Sequence, residues 1–150
     1  MELHTKRLKV IPCTEELLET ISEEDYKIGP HIKFYINELK ADPSQFGWGV
    51  WLVIEKESNS IIGDIGFKGK PDSNHTVEVG YGIKPSYQNK GYATEAVKEI
   101  IKWAFTFDCV DKIVAECYED NLSSIKVLEK LNMKRVGQCE SMLKWELNKR

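Results

Sequence analysis

The chain has 150 residues, of which 41% are hydrophobic and 30% are charged, and its formal net charge is −3. This composition predicts one globular domain over residues 1–150, long enough to bury a core, and the mixing of acidic and basic residues excludes an extended surface for nucleic acid or membrane. The four cysteines lie far apart without a Cys-x-x-Cys pair, and no stretch resembles a signal peptide or a membrane span, so we expect a cytoplasmic protein with reduced thiols and no metal site.

The N-terminal half predicts three strands and two short helices. The strands are expected at residues 3–11, 48–56 and 61–67, and the helices at residues 15–21 and 31–41. Gly29-Pro30 separates the two helices, and Asp42-Pro43 ends the second one. The turn-type residues 57–60 join the second and third strands as a hairpin.

The C-terminal half predicts the order strand, helix, strand, helix, strand, strand. These elements are expected at residues 77–83, 92–107, 112–118, 122–131, 134–139 and 142–147. Asp120-Asn121 supplies a cap for the second of these helices. Asn132 ends it, because asparagine tolerates the left-handed backbone conformation of a helix stop.

The loop between the strand at 77–83 and the helix that begins at Tyr92 has the features of a phosphate-binding site. Loop amides and the first N–H groups of a helix lack internal partners, and the helix dipole adds partial positive charge. Gly91 lets the backbone approach an anion without an intervening Cβ. The loop contains neither a Walker sequence nor a Gly-x-Gly-x-x-Gly fingerprint; it carries Gln88-x-x-Gly91-x-Ala93. It therefore predicts a pyrophosphate cradle of another kind.

This loop, together with the order of the elements, resembles the GNAT superfamily of N-acetyltransferases. The opening residues 3–8 and the blocks 78–81 and 91–96 are most similar to the Rim-type branch, the ribosomal-protein N-terminal acetyltransferases. The resemblance covers essentially the whole chain and is specific from residue 77 to 133. It implies an α/β (α+β) GNAT fold. Its central, mixed and mostly antiparallel sheet of six to seven strands is splayed between the fourth and fifth strands and flanked by about four helices.

The resemblance implies that the protein moves an acetyl group from acetyl-CoA to a primary amine by direct attack in a ternary complex. The acceptor is either a protein N-terminus or a small-molecule amine, and the protein is expected to be a monomer or a homodimer. The positions that match the cofactor-binding residues of the family are Tyr81, Gly82, Ile83, Gln88, Asn89, Lys90, Gly91, Tyr92, Ala93, Thr94, Asn121 and Ser124.

Glu78 is the first candidate for the general base, because a carboxylate between two valines invites a raised pKa. Glu116 or water is the alternative. A solvated edge-strand role remains open for Glu78, and Glu95 is interpreted as structural since it lies in the first helical turn. The acid is open as well: Leu128 stands where many relatives carry tyrosine, so Ser124 is the candidate, with Tyr118 weaker. The thiolate can also leave unprotonated.

The resemblance also implies that a main-chain N–H near Gly82 or Ile83 donates to the acetyl carbonyl. Gly80 and Gly82 are poor strand residues and indicate a bulge or a close backbone approach; relief of crowding beneath an aromatic ring is the other interpretation.

The acceptor pocket is expected in the N-terminal half, although aromatic residues there are more often core than ligand contacts. Its candidates are the segment 26–36, with Tyr26, His31, Phe34 and Tyr35, then Trp48 and Trp51, and the loop 68–76 with His75. Two other functions remain open at this point. A non-catalytic acyl-CoA-binding module would keep the cradle without using a base, and another α/β protein would hold a different nucleotide in the loop.

Overall fold

The computed structural model describes residues 1–150, which form eight strands and four α-helices. In chain order these are β1 (Leu3–His4), β2 (Leu8–Pro12), α1 (Glu15–Glu19), α2 (Pro30–Ala41), β3 (Val50–Glu55), β4 (Ser60–Phe67), β5 (Thr76–Ile83), α3 (Tyr92–Ala104), β6 (Lys112–Tyr118), α4 (Leu122–Lys130), β7 (Lys134–Cys139) and β8 (Met142–Asn148). One sheet contains all the strands in the order β1-β2-β3-β4-β5-β6-β8-β7. Only β5 and β6 are parallel neighbours, which confirms the expected mixed, mostly antiparallel sheet.

The sheet has one strand more than the six to seven expected, because the strand predicted at residues 3–11 is a hairpin. Leu3 pairs with Val10 across this hairpin. The turn is held by Thr5, whose N–H donates to the Leu8 carbonyl at 2.9 Å and whose hydroxyl accepts from the Leu8 N–H at 3.0 Å. The turn contains neither glycine nor proline, so the alternation of side chains along 3–11 conceals it.

The ends of α2 and α4 lie at the proline, aspartate and asparagine residues from which they were predicted. Pro30 is the first residue of α2 and Asp42 follows its last. Asn121 caps α4 by accepting the Ser124 N–H at 3.1 Å. Asn132, beyond the end of α4, has the left-handed φ of 64° that its position predicts.

The two faces of the sheet bury two separate cores. The larger, of 25 residues, lies under α3 and α4 and includes Trp51 and Ile100. The smaller has six residues beneath α2, among them Ile32 and Tyr35. Tyr35 packs so closely on β3 that a Cβ at Gly49 would lie 1.9 Å from its ring. This contact fixes α2 against the sheet. None of the helices has the length and apolar character needed to cross a membrane.

β5 and β6 pair over three residues only, from Thr76 opposite Lys112 to Glu78 opposite Val114. Beyond this point β5 continues beside β4, and β6 continues beside β8. The opening is the splay expected between the fourth and fifth strands, which are β5 and β6 once the N-terminal hairpin is counted as two strands. The two candidate ligand cavities described below lie on either side of this gap.

Candidate functional site

The loop predicted to bind phosphate lines a cavity of about 280 Å³ between the start of α3 and the side of α4. Gly91 precedes α3 in the left-handed conformation, with a φ of 84° and no side-chain cap. The first N–H groups of α3 therefore lack an intrahelical acceptor and can donate to an anion. The predicted cofactor residues that line this cavity are Ile83, Gln88, Asn89, Gly91, Tyr92, Ala93 and Thr94.

Five predicted cofactor residues do not line this cavity. Lys90 lies beside the ring of Tyr87, with Nζ 5.8 Å from its centre. The other four are Tyr81, Gly82, Asn121 and Ser124.

Two lysines that sequence reasoning missed face the loop from α4. Lys126 and Lys130 line the same cavity, and no acidic residue does. They are four residues apart and so share one face of the helix. This spacing, on a helix that follows an anion-binding loop, is the signal that could have identified them. The lysines, the loop amides and the helix dipole all favour a negatively charged ligand.

Glu95 in α3 holds the N-terminal hairpin against the start of this helix. Its carboxylate accepts from the Thr5 hydroxyl at 2.5 Å, the Arg7 N–H at 3.0 Å and the Arg7 Nε at 2.8 Å. Burial raises the pKa of Glu95, but these hydrogen bonds outweigh burial and hold the pKa below its ordinary value. The contacts agree with the structural role expected for Glu95.

The edge of β5 that faces the gap has free main-chain groups. The N–H of Lys68 donates to Glu78 at 2.9 Å, and the N–H of Lys84 donates to Ile62 at 2.8 Å. Alternate residues of β5 between these two bonds therefore also pair with β4. The intervening residues beyond the last pair with β6 are Tyr81 and Ile83, whose main-chain groups face the gap.

This alternation turns the N–H of Ile83 toward the gap, whereas the N–H of Gly82 faces β4. The Ile83 carbonyl accepts from Gln88 Nε2 at 2.8 Å, which ties the cradle loop to the end of β5. A Cβ built on Gly82 meets no atom within 4 Å, so crowding does not explain this glycine. The backbone at Gly82 is instead open to a cavity.

That second cavity, of about 940 Å³, lies on the opposite face of the sheet, between α2 and strands β3 to β5. Four of the residues expected in the acceptor pocket line it: His31, Phe34, Tyr35 and Trp48. Trp51 and His75 do not line it, whereas Lys68 and Gly69, at the start of the expected loop 68–76, do. Trp51 is fully buried in the larger core because alternation along β3 turns it away from α2, and its indole N–H donates to the Gly47 carbonyl at 2.8 Å. His75 pairs with Asp111 at 2.9 Å, outside the cavity.

Asp64, on β4, is a lining residue of this larger cavity that sequence reasoning missed. Its Oδ2 accepts from the Tyr26 hydroxyl at 2.6 Å, and its Oδ1 lies 2.8 Å from His31 Nε2. Burial raises the pKa of Tyr26, and the hydrogen bond to Asp64 raises it further, so the hydroxyl stays protonated. An acidic residue in the otherwise apolar run 61–65 was the available signal.

Cys13 is fully buried in the smaller core. Burial raises the pKa of the Cys13 thiol to about 12, and Asp64 contributes to the shift. The thiol is therefore protonated at neutral pH and is not a nucleophile.

The two candidate bases are both in ion pairs. Glu78 Oε2 lies 2.9 Å from Lys68 Nζ, and Glu116 Oε1 lies 2.5 Å from Lys144 Nζ. Glu78 is four residues from Gly82, which is about 13 Å along an extended strand. Its carboxylate is therefore remote from the open backbone at Gly82.

The candidate acids lie around the first turn of α4. The Ser124 carbonyl accepts from the Tyr81 hydroxyl at 3.4 Å, across the gap between β5 and α4. Tyr118, at the end of β6, is 58% exposed. Leu128 is fully buried in the larger core, so this position presents no group to either cavity.

Comparison with known proteins identifies relatives over nearly the whole chain. Residues 12–134 match the sequence model of the acetyltransferase (GNAT) domain. The chain is 31% identical over 146 residues to the uncharacterized N-acetyltransferase YjdG of Bacillus subtilis, a match that covers 86% of this chain and 87% of that protein.

Two solved structures each match 99% of the chain. An acetyltransferase (GNAT family) from Bacillus anthracis has a TM-score of 0.71 at 25% identity, and 98% of it is covered. The ribosomal alpha-N-protein acetyltransferase RimL, in complex with coenzyme A, has a TM-score of 0.78 at 13% identity, and 98% of it is covered. At that identity the RimL likeness shows a shared fold.

Proposed function

Because the chain belongs to the GNAT acetyltransferase family, we propose that it is an acetyl-CoA-dependent N-acetyltransferase acting on a primary amine. One observation carries this proposal. Ile83 lines the smaller, positively charged cavity, and its neighbour Gly82 lines the larger one on the other face of the sheet. The gap between β5 and β6 therefore joins an anion-binding cavity to a cavity that can hold an acceptor.

The smaller cavity suits the pyrophosphate of coenzyme A. The N–H groups of residues 92–94 donate to the phosphates, and Lys126 and Lys130 compensate their charge. The pantetheine arm, which carries amide groups of its own, extends along the free edge of β5 and bonds to the main chain of Tyr81. Asn121 and Ser124, at the start of α4, bind on the other side of the gap.

In the proposed reaction the acceptor first loses one proton, so that its nitrogen has a free electron pair. That pair attacks the thioester carbonyl carbon; a C–N bond forms, the C–S bond breaks, and the C–S electron pair leaves on sulfur. The amide nitrogen loses a second proton and the thiolate takes one, so the sum is ammonium plus acetyl-CoA to amide, thiol and one proton. The Ile83 N–H stabilises the charge that develops on the carbonyl oxygen.

Glu78 and Ser124 are the proposed base and acid. Because Glu78 is about 13 Å along β5 from Gly82, it reaches the amine only through water. Ser124 is assigned the role of the acid because its main-chain carbonyl accepts from the Tyr81 hydroxyl across the gap, so the residue lies at the gap itself. The alternative to an acid is that the thiolate leaves unprotonated and takes its proton from water, since a thiol pKa is near 8.5.

The test is thiol release from acetyl-CoA with a panel of primary amines: peptides with free N-termini, polyamines, amino acids and aminoglycosides. A thermal shift with coenzyme A is measured alongside; a ligand at 100 times its Kd stabilises the folded state by about 2.7 kcal/mol. Thiol release with one amine class supports the proposal and names the acceptor. A thermal shift without release on any amine would indicate an acyl-CoA-binding module, and a shift with a nucleotide but not with coenzyme A would overturn the cofactor.

A further inference from the structure

We infer that Asp64, held by Tyr26 and His31, forms the site that binds the protonated amine of the acceptor and takes its proton. The inference rests on the proposed acetyl transfer and adds to it a residue and a substrate class. It makes Asp64 the group that accepts the proton of the bound ammonium directly, and it leaves to Glu78 only a proton that reaches it through water.

The register of the sheet places Asp64 beside the reaction point. Asp64 on β4 is the partner of Gly82 on β5, and opposite residues in an antiparallel pair are about 5.5 Å apart at Cα. Both face the larger cavity. Since Gly82 has no side chain and no atom lies within 4 Å of its Cβ position, nothing separates the Asp64 carboxylate from the backbone beside Ile83.

Asp64 has room for a further hydrogen-bond donor on each oxygen. Tyr26 occupies one acceptor position of Oδ2, and His31 is the single neighbour of Oδ1. A carboxylate oxygen accepts two hydrogen bonds, and an ammonium group has three donors to offer. The two neighbours therefore fix the orientation of the carboxylate without saturating it. The side chain of Asp64 is 18% exposed, so the ion pair with an ammonium is only weakly screened.

The proton has a path out of the cavity. It passes from the ammonium nitrogen to the Asp64 carboxylate, which becomes a carboxylic acid, and from there to water. His31 contacts Asp64, and its own side chain is 58% exposed to solvent. The deprotonated amine then has the free electron pair that the transfer requires.

The remaining lining defines the acceptor as a cationic amine with an apolar or aromatic body. Phe34, Tyr35 and Trp48 provide aromatic surface, which favours apolar groups and cations. Glu38 adds a second negative charge, and the positive charge of Lys68 is compensated by Glu78. The balance of charge disfavours acceptors that carry carboxylates close to the amine.

The test measures amine binding separately from turnover. Binding of 2-phenylethylamine to the protein loaded with coenzyme A is followed by calorimetry, and 2-phenylethanol is the uncharged control probe. We expect the amine to bind more tightly than the alcohol, and Asp64→Asn to weaken amine binding by about 10- to 100-fold while coenzyme A affinity is retained. Asp111→Asn, which alters another Asp–His pair outside the cavity, should change neither.

Each outcome decides one of the two proposals. Unchanged amine affinity in Asp64→Asn, or no preference of the wild type for amine over alcohol, overturns the amine site. If amine binding depends on Asp64 but no amine causes thiol release from acetyl-CoA, the amine site is supported and the transfer reaction is overturned. Turnover of acetyl-CoA by Asp64→Asn tests the proton transfer. A higher KM for the amine together with a lower kcat supports proton transfer to Asp64. A higher KM with an unchanged kcat shows that Asp64 binds the amine without taking its proton.

A second variant keeps the test decisive if Asp64→Asn fails to fold. If Asp64→Asn also loses coenzyme A binding, Tyr26→Phe replaces it, since this change removes only the hydroxyl that orients the carboxylate. Weaker amine binding with coenzyme A affinity retained then supports the site, and unchanged amine binding overturns it.

Discussion

The guanidinium of Arg7 lies 4.1 Å from the centre of the Tyr92 ring, so the N-terminal hairpin covers the first residue of α3. The same guanidinium pairs with Glu95, and the Tyr92 hydroxyl donates to Glu55 on β3. Arg7 also lies beside Gly91, since its Nη2 is 3.4 Å from a Cβ built at that position. Residues from three separate parts of the chain thus fix the loop that is proposed to form the coenzyme cradle.

Arg7→Ala should weaken both the fold and the cradle. It removes the contact with Tyr92 and the charged hydrogen bond to Glu95, which together contribute about 1–2 kcal/mol at this half-exposed position. We expect the free energy of unfolding in urea to fall by that amount and coenzyme A affinity to fall several-fold. Lys6→Ala, an exposed neighbour in the same turn, is the control and should change neither. Coenzyme A affinity equal to wild type would show that Arg7 does not support the loop.

Glu95 should contribute stability that depends on pH. Its folded-state pKa lies below the ordinary value of 4.5, so the carboxylate stabilises the fold fully above that pH. The contribution is lost as the pH falls through the lowered folded-state value. The difference in unfolding free energy between the wild type and Glu95→Gln should therefore be largest near neutral pH and shrink at acid pH. A difference that stays constant from about pH 7 to about pH 3 would contradict this account.

Local signals in the sequence predicted the C-terminal half well because each of its elements carries its own boundary. Asn121 and Asn132 mark the ends of α4, and Gly91 marks the start of α3. The N-terminal hairpin was missed because Thr5 makes its turn through a side-chain hydrogen bond, without a glycine or proline.

Sequence predicted only part of the lining of the larger cavity: His31, Phe34, Tyr35 and Trp48 were expected there, and Asp64 was not. Asp64 meets His31 because α2 packs on the face of the sheet to which β4 presents the carboxylate, and it meets Tyr26, 38 positions earlier, in the segment that precedes α2. No periodicity encodes that meeting; it depends on which side of β3 and β4 the helix covers. Trp51 could not be placed from sequence for the same reason. Neighbouring residues of β3 face opposite sides of the sheet, and Trp51 faces the core rather than the expected pocket.

Gly91→Glu should abolish coenzyme A binding. The glutamate places bulk and negative charge against the phosphates, at a residue whose φ of 84° already disfavours any side chain. Gly91→Ala is the control for backbone strain alone, and we expect it to cost about 1 kcal/mol of stability while retaining most of the affinity. The measurement is titration with coenzyme A. Normal affinity in Gly91→Glu would remove the cradle assignment.

Gly82→Val should separate activity from stability. A side chain at Gly82 meets no atom within 4 Å, and valine favours strands, so the free energy of unfolding should be preserved. The added methyl groups lie between the Asp64 carboxylate and the backbone beside Ile83, where the acetyl group and the amine are proposed to meet. We therefore expect thiol release to fall by about 100-fold, the size seen when a reacting group is displaced by an ångström.

Gly63→Ala provides the opposite control on the neighbouring strand. A Cβ at Gly63 would lie 2.3 Å from the Gly82 carbonyl oxygen, so this change should destabilise the fold by forcing β4 and β5 apart. Urea unfolding and thiol release are measured on both variants. Gly82→Val should lose thiol release and keep its stability, whereas Gly63→Ala should lose stability. If Gly82→Val retains full thiol release while folding normally, the reaction does not take place at Gly82, and both the acetyl position and the role of Asp64 must be placed elsewhere in the gap.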